Sequence, residues 1–127
     1  LGMGEIPQFR RNDEEDKEYR EFFNTLLDSR LENFEEDEKR MADTITNWDS
    51  DRVALLDKWI IHLSINEMRK FPHIPVKVTM NEYLEIAKAY STPGSAGFIN
   101  GVVDKLATKM RADGTLKKSA KGLMDNK

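Results

Sequence analysis

The sequence predicts an all-α fold, a bundle of four to five helices with no sheet. Three observations carry this. Apolar residues recur at steps of three and four along most of the chain, the spacing of one helix face. No segment alternates apolar and polar residues over a useful length, so no strand is predicted. Gly and Pro gather mostly between the periodic segments, and positions 13–49 contain neither.

The chain has 127 residues, room for one domain with one core. It has no cysteine, which excludes disulfides and thiolate metal sites. No apolar run approaches the ~20 residues that span a bilayer, and no secretory leader pattern opens the chain. A cytoplasmic setting fits these features. Net charge is −3, but it is unevenly spread. Positions 1–50 hold 15 acids and 7 bases, whereas positions 105–127 hold 7 bases and 2 acids. The acidic block reads as a solvated helix face, and overall acidity argues against a freestanding high-affinity nucleic-acid binder.

Positions 1–12 mix Gly2, Gly4 and Pro7 with few apolar residues and read as an irregular lead-in or cloning remnant. The first residue is not Met, so the chain is also read as part of a longer protein. Acidic amphipathic helices are predicted over 13–48. Asp13, Glu14, Glu15 and Asp16 suit a helix N-terminus. Tyr19, Phe22, Phe23, Leu26, Leu27, Leu31, Phe34, Met41, Ile45 and Trp48 supply its apolar spacing. A break is expected near Glu32–Asn33, because ordinary globular helices run roughly 8–20 residues. Asp49 or Ser50 is expected to cap a central, most buried helix over 51–70, where little polar face remains. Phe71-Pro72-His73-Ile74-Pro75 ends it.

A C-terminal helix pair follows, over 79–91 and 95–111. Thr79 with Glu82 reads as a capping box. Thr92-Pro93-Gly94 is the turn, and Ser95 is expected to cap the next helix. Positions 113–127 read as a flexible basic tail.

No catalytic constellation emerges. His62 and His73 lack metal-ligand spacing and read as core or rim histidines, so no metal and no cofactor are expected. Gly94 and Gly97 lack the Lys-Ser/Thr of a phosphate loop. Asp57, Glu67 and Glu82 are isolated acids, Glu82 with a capping role. Gly101 inside a helix costs about 1 kcal/mol against Ala. Close helix–helix approach or a backbone left open to a partner both account for it.

The stretch Pro75-Val76-Lys77-Val78, Asn81-Glu82, Glu85-Ile86-Ala87-Lys88, Ser95 and Phe98-Ile99-Asn100-Gly101-Val102-Val103-Asp104-Lys105 resembles the NusB family of transcription antitermination factors. The helix over 55–68 with Glu67 looks like the family helix ahead of it. The likeness covers about 50–106, with the order and spacing of several motifs kept. It implies an all-helical, non-enzymatic adaptor, here the C-terminal portion of a NusB-like protein. It further implies pairing with NusE, a small-subunit ribosomal protein, and binding of boxA-type RNA. Under the resemblance, Lys77, Gly94, Ser95, Gly97 and Phe98 fall on the RNA side, with Phe98 either stacking on a base or packing in the core. Asp57 and Tyr90 fall on the protein-partner side. Two departures stand out. The family's Arg/Lys-rich N-terminal helix has no counterpart here, and Gly97 occupies an often basic position, so RNA binding alone is expected to be weak. A protein-only scaffold and an accessory domain of an RNA methyltransferase are the alternative readings.

Overall fold

The computed structural model describes residues 13–118. The expected lead-in at 1–12 and most of the expected tail lie outside them. Four helices follow in order: α1 (Asp13–Thr44), α2 (Leu55–Lys70), α3 (Val76–Tyr90) and α4 (Ser95–Ala112). No strand occurs among the described residues. α2 is the hub, with α1 on one side and the α3/α4 pair on the other; α1 also meets α4. The core joins Met41 of α1, Ile60, Ile61, Ile65 and Met68 of α2, Tyr83 and Ala87 of α3, and Ile99, Val103, Leu106 and Met110 of α4. Trimming a residue as enclosed as Ile61 or Ile65 to Ala is worth about 2–5 kcal/mol.

α1 does not break at Glu32–Asn33 but runs 32 residues without interruption. α2 acts as its splint. On one side of the expected break, the Ser29 hydroxyl donates to Asn66 Oδ1 at 2.6 Å. On the other, Arg69 donates to both oxygens of Asp37, at 3.0 and 2.9 Å. Asn33 donates to the Ser29 carbonyl one turn back, which keeps the helical register through the junction. The long apolar pattern of α1 does not form one buried face. Leu26 and Met41 are enclosed, whereas Tyr19, Phe23, Leu27 and Leu31 remain exposed.

Three expected helix starts differ. α2 begins at Leu55, not at 51, because Asp49 is used in a turn. Its carboxylate accepts from the Asp51 amide, and its carbonyl accepts from Arg52 and Val53. α3 begins at Val76 behind an extended Pro75. Thr79 is therefore inside the helix rather than at its cap, and its hydroxyl donates to Glu67 Oε2 at 2.6 Å in a fully enclosed contact. Ser95 does not cap α4 either. Gly94 holds that position with φ 92°, a conformation that favours glycine. Pro93 and Gly94 occupy the two central positions of a turn closed by the Ser95 amide on the Thr92 carbonyl at 3.0 Å, the arrangement of a type II turn.

The expected flexible tail is anchored through residue 118. Leu116 is buried, and its amide donates to the Met110 carbonyl. Lys118 donates to the carbonyls of Met68 and Phe71 at 2.8 and 3.1 Å, closing the C-terminal end of α2. Burial pushes its ammonium down to about 8.

Candidate functional site

One end of the bundle gathers the first turn of α2, the last turn of α3, the Pro93-Gly94 turn and the first turn of α4. Asp57 is the tie between them. Its Oδ1 accepts from the Ser91 hydroxyl and its Oδ2 from the Ser95 hydroxyl, both at 2.9 Å. Asp57 and Ser95 are buried. This corrects the expectation for both side chains. Their polar atoms face each other and hold the turn in place, so Ser95 is not presented to RNA, and Asp57 supports a partner surface rather than projecting from it.

What projects is aromatic and apolar. Tyr90 is 77% exposed at the end of α3, and Leu55 is 70% exposed at the start of α2. Phe98 is 41% exposed and stands outside the core, so its place is the rim, not the packed interior. It borders a groove whose other walls include Trp48, Arg52, Val53 and the edge of Asp57. Trp48 and Val53 were not legible as site residues, because the loop after α1 reaches this end only through the fold. Arg52 is the cation at this groove, and it is held by Asp49 at 3.2 Å in an exposed pair.

Gly94 and Gly97 are exposed beside Phe98. A Cβ at Gly97 or Gly101 meets nothing within 4 Å, so close helix packing does not account for either glycine. Lys77 is not brought to this end. It lies in the first turn of α3 while Gly94 follows the last, and thirteen helical residues separate Lys77 from Tyr90, about 20 Å of axial rise. An RNA edge uniting Lys77 with the Gly94–Phe98 turn therefore has to run the length of α3.

The buried titratable groups act inside the bundle. His62 is fully enclosed in α2, stacked on Phe34 with ring centroids 4.9 Å apart, and bonded through Nε2 to Glu38 Oε2 at 2.6 Å. Its Nδ1 has no partner. Burial lowers its pKa despite the carboxylate, because a second proton would enter a site with no acceptor. Glu67 accepts from Thr79 and, at 3.3 Å, from Tyr83, and burial raises its pKa above the usual carboxylate value. No group of three or more His, Cys, Asp or Glu able to hold a metal occurs among the described residues. No described helix is long and apolar enough to cross a membrane.

A helical scaffold whose inner carboxylates are consumed by structural hydrogen bonds, and whose exposed end is aromatic, defines a binding domain built for macromolecular surfaces. The chain belongs to the NusB family, whose family model matches residues 4–108. It is 35% identical over 111 residues to the transcription antitermination protein NusB of Salinibacter ruber, covering 87% of this chain and 69% of that protein. It is 37% identical over 105 residues to the protein of that name from Thermodesulfovibrio yellowstonii, covering 81% and 70%. With the Chloroherpeton thalassium protein it shares 35% identity over 106 residues, 84% of this chain but 50% of that relative's length. The chain thus spans between half and about seven-tenths of these relatives. No solved structure matches it.

Proposed function

We propose that this chain is a non-catalytic adaptor of transcription antitermination, pairing with NusE and contributing to the binding of boxA-type RNA. The observation that carries the reading is the joint exposure of Tyr90, Leu55 and Phe98 at the end of the bundle held by Asp57. The family and the printed names of the relatives support the process. The Asp57–Ser91–Ser95 tie fixes the backbone between Tyr90 and Phe98, so a partner meets a surface already in place and loses less ordering entropy. Tyr90 and Leu55 form the protein-facing part. Phe98, with the open backbone of Gly94 and Gly97, forms the RNA-facing part, where an exposed ring is suited to stacking on a base. Lys77 meets phosphate farther along α3.

A titration of boxA-type and scrambled RNA, with and without NusE, at two salt concentrations tests this. The expected result is weak RNA binding alone, a gain with NusE, and preference for boxA. If NusE neither binds nor alters RNA affinity, the reading fails. A protein-only role is favoured by one specific observation: α1 carries thirteen acids against five bases, a poor surface for a polyanion. Binding of NusE without any RNA effect is the outcome that selects it.

A further inference from the structure

α1 and α2 share a second apolar face, away from the site above. Phe23, Leu27 and Leu31 follow one another at four-residue steps, so their side chains lie along one side of α1. Leu31 is 71% exposed and Phe23 56%. Inside this face sits Arg30, a cation without an anion. Its residue is only 9% exposed, its Nε has no partner, and it makes no ion pair among the described residues. Its guanidinium carbon lies 3.4 Å from the centroid of the Trp59 ring on α2 and 5.2 Å from that of Phe34. Two rings therefore fix the plane of the guanidinium while its N–H donors are left without carboxylate or carbonyl.

We propose that this face docks an amphipathic helix of a partner polypeptide, apolar along its centre, with one carboxylate seated on Arg30 and basic residues along its flanks. Each feature answers an observation. The row Phe23, Leu27, Leu31 calls for an apolar stripe at matching helical spacing. Arg30 calls for a planar, bidentate acceptor, and a guanidinium already immobilised by Trp59 loses little freedom on pairing. The acidic remainder of α1 calls for basic flanks. The same acids oppose a second copy of this chain or an RNA strand at this place, because either one brings like charge. A free anion alone leaves the apolar row uncovered.

The test uses the full chain carrying Trp48→Phe, so that Trp59 is its single indole, and two synthetic helical peptides of about 15–20 residues. Both have a Leu stripe and Lys flanks; one has Glu at the centre of the stripe and the other Gln. The Glu peptide is expected to bind saturably, with a change in Trp59 emission, and the Gln peptide at least about tenfold more weakly. Arg30→Gln is expected to remove the difference between the two peptides. Leu31→Asp, at a position too exposed to endanger folding, is expected to weaken both. Equal affinity of the two peptides for the Arg30 protein overturns the proposal. So does the absence of saturable binding at millimolar peptide, displacement of the peptide by single-stranded RNA, or self-association that Leu31→Asp abolishes.

Discussion

Arg69 of α2 grips Asp37 of α1 with two parallel hydrogen bonds, at 3.0 and 2.9 Å, around a carboxylate that has no exposure to solvent. Arg40 and Asn66 donate to the same carboxylate at 2.9 and 3.2 Å, so its lone pairs are used. An ion pair this enclosed contributes little over an apolar pair of the same shape, yet breaking it is costly, because the remaining charge is stranded. Asp37→Ala is expected to cost about 3–5 kcal/mol, read from urea unfolding. Arg69→Met with Asp37→Leu together is expected to cost much less than the sum of the single changes.

The enclosed His62 makes stability fall in mild acid. Its folded pKa lies below the ordinary 6.5, so the neutral ring is the folded form. Its contribution is complete above that value and is lost as pH falls through the lower folded pKa. Urea midpoints from pH 7.5 down to 5 are expected to drop for the wild type. His62→Gln is expected to flatten that part of the profile, whatever its own stability.

Glycines 94 and 101 are expected to respond in opposite directions. Gly94→Ala forces a Cβ into φ 92° and is expected to destabilise by about 1 kcal/mol or more. Gly101→Ala meets open space in mid-helix and is expected to stabilise by up to about 1 kcal/mol. If Gly101→Ala also weakens partner binding, the added methyl lies in an interface. Thermal melts and the RNA titration together separate the two effects.

Phe98→Ala and Ser95→Ala divide surface from support. Phe98 is on the rim, so its loss is expected to leave urea stability nearly unchanged and to lower affinity for RNA about tenfold, the worth of one stacked base. Ser95→Ala removes a donor from buried Asp57 and is expected to cost about 1–2 kcal/mol of stability. A Phe98→Ala protein that unfolds easily contradicts the rim placement.

The helical class of the fold was legible because periodicity, the scarcity of glycine and the position of Pro93-Gly94 all reported the same thing. Positions of helix ends were less so. Thr79 and Ser95 have the local chemistry of caps, but each hydroxyl is bonded to a carboxylate from α2, a competition that no window of neighbouring residues contains. The bend expected at Glu32 failed for the same reason, since its remedy is supplied by Asn66 and Arg69 more than thirty positions later. At the candidate site, Tyr90 and Phe98 were named from motif alone and are exposed, whereas Asp57 and Ser95 were named with them and are internal. A motif records which residues accompany a function; it does not say which of them touch the partner. The distance between Lys77 and the Pro93-Gly94 turn follows from α3 being one unbroken helix. The α1 stripe misled in the other direction, for its ten apolar positions were read as one face when they form a buried set and an exposed one.

α2 is fastened at both ends by parts of the chain that come much later. Ser91 and Ser95 hold its first turn through Asp57, and Lys118 holds the carbonyls of its last. Neither end can fray on its own as helix ends commonly do. The middle helix is thus the last to be released, and its slowest-exchanging amides report the opening of the whole bundle rather than of any segment. In a polypeptide made on the ribosome, that helix also waits for residues about fifty positions behind it before it is closed.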